Sequence, residues 1–397
     1  MLLRQRALLS SIHLRRHFHR QAWQHMAYQD SLVIDQYANR PVTPITLKEL
    51  LRWGERPVTE DKLISIAQYV GQELPKRLAR RVRALQQLPF IVGMNPHIRQ
   101  VYQLYLDSFR TLHQLPLVQD VTSDEKFTQI LAELVDSHAD VIPVLARGIQ
   151  ECRRYLSKEE ITDFLNRTIQ ARIGIRVLAE HHLALHRKDD DQHPYRTGIV
   201  DQRLSPFAIL KRAAPYAQEL CELNFGTYPE FIINGQTDTT FPYIDVHLDY
   251  MLFELLKNAF RATAEHCRKI GVDDPPPVEI TIARGDQDVT IRIRDQGGGI
   301  SEEKLQQVWE YSYTTVDDDA DVGNQTGSYD GIFATAAKMA VITGTGGQMA
   351  GLGYGLPMTR IYAQWAGGSL DLISLYEHGC DVFLRLPHIG NVETMQI

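Results

Sequence analysis

The chain contains 397 residues, a length that typically forms two or three domains with their own hydrophobic cores. Hydrophobic residues make up 44% and charged residues 23% of the sequence, which excludes a disordered or fibrous protein. The net charge of -7 does not favour a nucleic-acid-binding protein, although a local basic patch is compatible with it.

The first 29 residues differ in composition from the rest of the chain. Residues 1–29 contain no Asp or Glu, and arginines alternate there with Leu, Ile, Phe and Trp. An Arg-rich, acid-free amphipathic leader is typical of a mitochondrial transit peptide, so we predict a protein of the mitochondrial matrix. The alternative is a basic surface helix of the mature protein. No apolar run approaches the roughly 20 residues that a membrane-spanning helix needs.

Residues 30–186 carry apolar residues at intervals of three and four, the spacing of amphipathic helices. The pattern predicts one long helix over 59–85 and another over 158–186. Between them, a long helical stretch begins at Ser123 and is interrupted at Pro143. Strand patterns are few in this region, so we predict an antiparallel bundle of about four long helices.

The residue pattern changes after a polar connection, which we assign to residues 187–204. Apolar residues then alternate with polar ones in several short runs, and Gly285-Asp286 is a predicted hairpin turn between two of them. Helices are predicted between the strands, over 205–224, 250–265, 301–310 and 357–366. Strands alternating with helices predict a two-layer α/β domain over 205–397, with helices on one face of a mixed sheet. The chain as a whole is therefore α+β.

Two further features concern the second half of the chain and the cysteines. The Gly, Ala and Thr-rich stretch over about 316–351 is too long for an ordinary connection, so we interpret it as a lid. The four cysteines stand far apart, without the spacing of metal ligands. We predict buried free thiols at these positions: Cys152, Cys221, Cys267 and Cys380.

The segment over 250–265 carries polar residues that an ordinary buried helix would not need. Glu254, Asn258 and Arg261 stand at i, i+4 and i+7, so they share one helix face. An amide oxygen can hold Mg2+ while a carboxylate one turn away takes a proton. A solvated helix face is the alternative.

A second group of residues follows a predicted strand. Asp295 stands at its end, before Gly297, Gly298 and Gly299, which allow a sharp turn and a close approach to a ligand. A carboxylate at this place can accept a hydrogen bond from an exocyclic amine such as that of adenine. A simple tight turn is the alternative.

Two later segments could contact phosphate. Thr314 and Thr315 offer hydroxyls beside the predicted lid, and the run GLGYGLP over 351–357 precedes a helix. Glycines ahead of a helix N-terminus expose backbone N–H groups and the positive end of the helix dipole. Pro357 suits the first turn of that helix. The chain contains no P-loop signature and lacks the HRD and DFG elements of ordinary protein kinases.

The order of these segments resembles the GHKL ATP-binding fold of histidine kinases, Hsp90-type chaperones, type II topoisomerases and mismatch-repair ATPases. The runs ELLKNAFRAT, DQGGGI and GLGYGLPMTR are similar to those of the mitochondrial 2-oxoacid dehydrogenase kinases, which pair this domain with an N-terminal four-helix bundle. LAEHHLALH and the ending PHIGNVETMQI are closer to the branched-chain kinase than to the pyruvate dehydrogenase kinases. The latter usually carry a His at the position of Tyr250.

The resemblance implies transfer of the ATP γ-phosphoryl group to a serine on the alpha subunit of the dehydrogenase component. Glu254 would be the catalytic base and Asn258 would hold Mg2+. The implied nucleotide-binding residues are Asn258, Arg261, Asp295, Gly297, Gly299, Thr314, Thr315, Gly351, Leu352, Gly353, Tyr354, Gly355 and Leu356. For Arg261, an ion pair within the protein is an equal alternative. A K+ ion is implied near Val308, Glu310 and Tyr313.

The family also implies a homodimer that docks, through its regulatory bundle, on the lipoyl domain of the complex core. We expect the branched-chain dehydrogenase as the substrate, with pyruvate dehydrogenase as the alternative. Two other classes stay open. His181 and His182 are compatible with a phosphoacceptor, as in histidine kinases, and an ATP-gated binding module would need no kinase activity.

Overall fold

The computed structural model describes residues 31–187, 194–311 and 353–388. The predicted transit peptide, the whole of the predicted lid, and five of the predicted site residues lie outside these ranges. Those five residues are Tyr313, Thr314, Thr315, Gly351 and Leu352.

The N-terminal part is a helical bundle, as the apolar periodicity predicts. A helical segment over 31–39 is followed by seven helices: α1 (Leu47–Trp53), α2 (Glu60–Gln86), α3 (Phe90–Gly93), α4 (Pro96–Gln114), α5 (Val121–Ser137), α6 (Val141–Cys152) and α7 (Lys158–Leu185). A 3-10 turn, Arg153–Tyr155, joins α6 to α7. Helix α2 packs against α4, α5 and α7, and α4 packs against α6. Four of these helices are long, which confirms the predicted bundle.

The start and the interruption of the Ser123 helical stretch differ from the prediction. Helix α5 begins at Val121 because Asp120 is its N-cap, and Ser123 completes a capping box from inside the first turn. The stretch breaks between Ser137 and Val141, ahead of Pro143. Pro143 then occupies the first turn of α6, where its missing N–H costs no helical hydrogen bond.

The C-terminal part contains eight strands and four helices in the described ranges: β1 (Arg196–Thr197), β2 (Val200–Leu204), α8 (Pro206–Phe225), β3 (Phe231–Gly235), β4 (Phe241–Ile244), α9 (Asp245–Ile270), β5 (Val278–Arg284), β6 (Asp288–Arg294), α10 (Glu302–Leu305), α11 (Gly355–Trp365), β7 (Ser369–Leu375) and β8 (Gly379–Pro387). A 3-10 turn, Gln307–Trp309, follows α10. The predicted helix over 301–310 is therefore two short pieces, and α11 begins two residues before Pro357.

The main sheet has the order β3-β5-β6-β8-β7 and is mixed, because β3 pairs with β5 in parallel and the other pairs are antiparallel. The β5–β6 hairpin turns at Gly285, whose N–H donates to Asp288 O at 2.8 Å. Helix α9 packs on β5 and β6, α11 packs on β7 and β8, and α8 packs on α9. The two-layer α/β prediction is confirmed.

Residues 196–204, assigned to the connection from sequence, contain β1 and β2 instead. These strands form a second, three-stranded sheet with β4. The sequence pattern did not predict these two strands, because a short strand with exposed polar residues shows no clear alternation of apolar and polar residues.

The bundle and the α/β part contact each other directly. Helix α11 packs against α7, the Tyr311 hydroxyl donates to Asn166 Oδ1 at 2.7 Å, and Lys158 Nζ lies 2.8 Å from Glu310 Oε2. All four cysteines are buried and free, as predicted. In the ranges 31–187, 194–311 and 353–388, no helix is both long and apolar enough to cross a membrane.

Candidate active site

Glu254 lies on α9, on the side that faces the N-terminus of α11. The apolar residues of α9 are buried in the core and fix the helix, while the Glu254 side chain keeps 14% exposure. Its Oε1 accepts from Lys257 Nζ at 2.6 Å. An ideal Cβ placed on Gly355 would lie 2.1 Å from Glu254 Oε2. The carboxylate and the glycine turn before α11 are therefore in direct contact.

This contact makes a prediction for Gly355→Ala. The added methyl group must displace the Glu254 carboxylate, and misplacement of a catalytic group by about 1 Å can cost about 100-fold in rate. For the phosphoryl transfer that the resemblance implies, we expect a loss of at least tenfold in kcat, measured with labelled ATP, with the protein still folded.

The matched control is Gly93→Ala, since an added Cβ there meets nothing within 4 Å. We expect that variant to retain the wild-type kcat. A Gly355→Ala protein with unchanged kcat would show that the position of Glu254 does not matter for transfer.

Asn258 and Arg261 follow Glu254 on the same helix, in different environments. Asn258 is exposed, and its amide forms no hydrogen bond with any described residue, so the amide oxygen is available to a ligand. Arg261 Nε donates to Glu265 Oε1 at 2.6 Å. The ion-pair alternative for Arg261 thus has a partner on its own helix.

Asp295 is buried at the end of β6, with 7% exposure. Its Oδ1 accepts the backbone N–H groups of Gly297 at 2.9 Å and Cys380 at 3.2 Å. Burial raises the pKa of Asp295 to about 6, and the two N–H donors oppose the rise. In the part of the chain that the structure describes, Oδ2 has no hydrogen-bond donor. The backbone therefore holds Oδ1, and Oδ2 is available to accept a hydrogen bond from a ligand.

The glycine turn after Asp295 packs directly on α9. An ideal Cβ on Gly297 would lie 2.5 Å from Ala262 Cβ, and one on Gly299, with φ +67°, would lie 2.2 Å from Leu375 O. Only glycine permits both the close approach and the left-handed backbone. Ala262 stands one turn after Asn258, so the turn brings Asp295 to the same part of α9 that carries Asn258.

The start of α11 has the form of an anion-binding site. The first helical hydrogen bond runs from Met358 N to Tyr354 O, so the N–H groups of Gly355 and Leu356 lie outside the helical ladder. Gly353 adopts φ +71°, which turns the chain into the helix. Because Gly355 contacts the Glu254 carboxylate, this helix start lies beside Glu254, and its N–H groups could bind phosphate oxygens.

Tyr250 occupies the position one turn before Glu254 and is buried against Tyr362, with 5.2 Å between ring centroids. Burial raises the pKa of Tyr250, and the nearby Glu254 carboxylate raises it further. The position therefore holds a neutral phenol at physiological pH, whereas a histidine could change its charge.

The predicted K+ residues are only partly described. Val308 lies in the 3-10 turn after α10, and the Glu310 side chain pairs with Lys158. Tyr313 lies outside the described residues. The K+ site stays a prediction.

The adjacent histidines do not fit the phosphoacceptor interpretation. His181 and His182 are both fully buried in α7, at 0% exposure. Burial lowers the pKa of His181 to about 4 and that of His182 to about 3. The N–H of Ile199 donates to His181 Nδ1 at 3.4 Å. A phosphoacceptor must reach a nucleotide or a partner, and these two rings are packed inside the protein.

Two partners of the site residues were not predicted from sequence. Lys257 pairs with Glu254, and its i+3 spacing on the helix was a usable signal. The N–H of Cys380 holds Asp295, but the two residues are 85 positions apart and only the β6–β8 pairing joins them. No local pattern could have indicated the second contact.

Comparison with known families assigns both parts of the chain. Residues 44–201 match the family model described as mitochondrial branched-chain alpha-ketoacid dehydrogenase kinase. Residues 244–389 match the model described as histidine kinase-, DNA gyrase B-, and HSP90-like ATPase.

Similar proteins extend over nearly the whole chain. The mitochondrial pyruvate dehydrogenase (acetyl-transferring) kinase of Arabidopsis thaliana is 34% identical over 88% of this chain and 91% of its own length. Kinase 1 of Saccharomyces cerevisiae, of the same name, is 30% identical over 89% of this chain and 86% of its own. Isozyme 1 of Mus musculus is 29% identical over 92% and 82%.

Proposed function

The chain belongs to the family of mitochondrial 2-oxoacid dehydrogenase kinases, and from that premise we propose that it phosphorylates and inactivates pyruvate dehydrogenase in the mitochondrial matrix. It is an ATP-dependent protein kinase with a GHKL-type nucleotide-binding domain. The observation that carries the proposal is the contact of Glu254 with Gly355, because it places a carboxylate at the turn where the terminal phosphate would be bound.

Glu254 acts in this proposal as the base that orients the attacking serine hydroxyl and receives its proton. Phosphoryl transfer depends mostly on positioning and charge neutralisation, so a fixed carboxylate beside the nucleophile contributes both orientation and proton transfer. Lys257, at 2.6 Å, holds the carboxylate in place. The acceptor is a serine on the alpha subunit of the dehydrogenase component.

The residues present fit a magnesium nucleotide. Asp295 Oδ2 would accept from the adenine amino group, and the N–H groups of Gly355 and Leu356 would donate to phosphate oxygens. Asn258 offers one free amide oxygen, which suits Mg2+ because that ion usually takes one or two protein ligands and completes its shell with phosphates and water. When bound, Mg2+ neutralises charge on the phosphates. The K+ ion that the family resemblance implies near Val308 remains part of this proposal.

The comparisons favour pyruvate dehydrogenase over the branched-chain enzyme that the sequence motifs led us to expect. Relatives aligned over more than four fifths of both chains are named pyruvate dehydrogenase kinases. The branched-chain expectation rested on short motifs, and the family model of that name covers residues 44–201 only. We therefore propose pyruvate dehydrogenase as the main substrate.

Initial rates on the two purified complexes test this choice. With labelled ATP and matched complex concentrations, we expect kcat/KM at least tenfold higher for the pyruvate complex. A tenfold difference corresponds to about 1.4 kcal/mol of transition-state discrimination, which one or two contacts can supply. Equal rates, or a faster reaction with the branched-chain complex, would contradict the assignment.

Assembly forms the remaining part of the proposal. The kinase acts as a homodimer, docks on the lipoyl domain of the complex core and uses the bundle to place the alpha subunit before Glu254. The contacts of α7 with α11 and of Tyr311 with Asn166 support only the last of these steps, since they fix the bundle against the α/β part that carries Glu254.

A further inference from the structure

A cluster of possible metal ligands joins helices α5 and α7 of the bundle, away from the residues of the proposed kinase site. Asp124 lies on α5, while His182 lies near the end of α7 and His186 directly after it. One ligand atom from each of the three residues lies within 4.8 Å of the other two. We propose that Asp124, His182 and His186 bind one Zn2+ ion that fastens α5 to the C-terminal end of α7.

Each oxygen of Asp124 faces a different imidazole. Oδ2 lies 2.7 Å from His186 Nε2, and Oδ1 lies 3.9 Å from His182 Nε2. Ligand atoms around a tetrahedral zinc ion, at ~2.0 Å each from the metal, stand ~3.3 Å apart, midway between these two separations. Small side-chain rotations would lengthen the Asp124–His186 distance and shorten the Asp124–His182 distance. The three groups would then surround a common centre.

His186 contacts a backbone carbonyl through one ring nitrogen and Asp124 through the other. His186 Nδ1 lies 2.8 Å from the backbone oxygen of His182. A carbonyl oxygen only accepts, so Nδ1 carries the proton. Nε2 lies 2.7 Å from Asp124 Oδ2, so without a metal ion this contact is a hydrogen bond. A metal ion held by both atoms would take the place of that hydrogen bond.

The other oxygen of Asp124 favours a metal ion over this hydrogen bond alone. Asp124 Oδ1 is buried and has no hydrogen-bond donor in the described part of the chain, and the hydrogen bond to Oδ2 leaves it so. A metal ion would engage Asp124 and both imidazoles together. Thr128 Oγ1 is hydrogen-bonded to His182 Nε2 at 2.9 Å; a metal ion on Nε2 would displace this bond and leave the hydroxyl oxygen beside the same centre.

The donor set and its surroundings suit zinc. Two imidazoles and one carboxylate form a common zinc ligand set, which leaves a fourth position for water or the Thr128 hydroxyl. The contact of His186 Nδ1 with a backbone carbonyl is the usual outer support of a metal-bound histidine. His182 and Asp124 are buried, whereas the His186 side chain keeps 16% exposure, so an ion can enter at His186.

Zinc binding by the full-length chain tests the proposal. Protein stripped with a chelator is dialysed against micromolar ZnCl2, and bound zinc is measured by mass spectrometry for the wild type, His186→Ala and Asp124→Asn. His186 lies beyond the helix end, so its replacement leaves the α7 ladder intact. His97→Ala is the control, because His97 is a partly exposed histidine paired with Glu151. Any zinc bound by histidines outside the cluster is the same in the wild type and both cluster variants, so it cancels when their zinc contents are compared.

We expect the wild type and His97→Ala to retain one zinc ion more than either cluster variant. Loss of an outer-shell partner already weakens metal binding by about 10- to 100-fold, so loss of a direct ligand should raise the zinc dissociation constant at least about 100-fold. Zinc should also raise the melting temperature of the wild type but of neither cluster variant. Equal zinc content in all four proteins, or none in the wild type, would overturn the proposal and would leave the kinase assignment untouched.

Discussion

Replacing Glu254 by Gln is expected to lower kcat by about 10²- to 10⁴-fold, the range for removal of a general base. The amide has the shape of the carboxylate and can still accept from Lys257, so the local structure should persist. It cannot take the serine proton. Phosphate incorporation into the dehydrogenase alpha subunit, measured under single-turnover conditions, reports the loss.

Nucleotide affinity separates this effect from a binding defect. The proposed nucleotide contacts are made by Asp295 and the start of α11, so calorimetry should give a dissociation constant for the magnesium nucleotide close to that of the wild type. Glu222→Gln, an exposed carboxylate on the neighbouring helix α8, is the control and should keep full activity. An active Glu254→Gln enzyme would remove Glu254 from the mechanism.

Replacing Asp295 by Asn is expected to weaken ATP binding and to stabilise the nucleotide-free protein. One oxygen must still accept the N–H groups of Gly297 and Cys380, so the amide nitrogen takes the position that faces the ligand. The amide NH2 of the variant and the adenine amino group, which are both donors, then face each other, and the amino group has no acceptor. Loss of a hydrogen bond to a charged group costs about 1.5–3 kcal/mol, which is about 10- to 100-fold in affinity.

The opposite effect on stability follows from the raised pKa of Asp295. A folded-state pKa of about 6, above the ordinary 3.8, means that the folded protein favours the protonated carboxyl. The contribution of the protonated Asp295 carboxyl to the unfolding free energy is fully present below about pH 4. It is lost as the pH rises through 6. At pH 7 the buried charge costs roughly 2–3 kcal/mol, from about 1.4 kcal/mol for each pKa unit, and an amide avoids this cost.

Two measurements check the pair of effects. Urea unfolding without nucleotide should give a larger unfolding free energy for Asp295→Asn than for the wild type at pH 7, with a smaller difference at pH 4.5. Calorimetric titration should show the weaker ATP binding. Asp371→Asn, an exposed aspartate on β7, should change neither quantity. Wild-type ATP affinity in the Asp295 variant would contradict the assigned adenine contact.

Periodicity predicted the helices and strands well, whereas it did not fix their ends. The start of α5 was misplaced because Asp120 and Ser123 are both good capping residues, and only the hydrogen bonds decide that Asp120 is the cap. The break before α6 was assigned to Pro143, although a proline is tolerated in the first turn of a helix. Strands β1 and β2 were missed because they are short and polar.

The candidate site was predicted to the extent that its residues lie on single elements. Helical spacing placed Glu254 and Asn258 on one face, and glycine runs marked the two turns that approach α9. Partners distant in sequence could not be deduced. The N–H of Cys380 reaches Asp295 through strand pairing, and Asp124 meets His182 and His186 through the packing of α5 on α7. The sequence showed only adjacent histidines there, without the aspartate that gives them a possible role.

The fate of the ATP γ-phosphate is the most direct test of the assigned activity. Labelled ATP, the purified kinase and the pyruvate dehydrogenase complex are incubated together, and the products are separated after acid treatment. The account predicts acid-stable phosphoserine on the alpha subunit, formed at least about 100-fold more slowly with Glu254→Gln. Acid-labile label on the kinase itself, or release of free phosphate without labelled dehydrogenase, would contradict it.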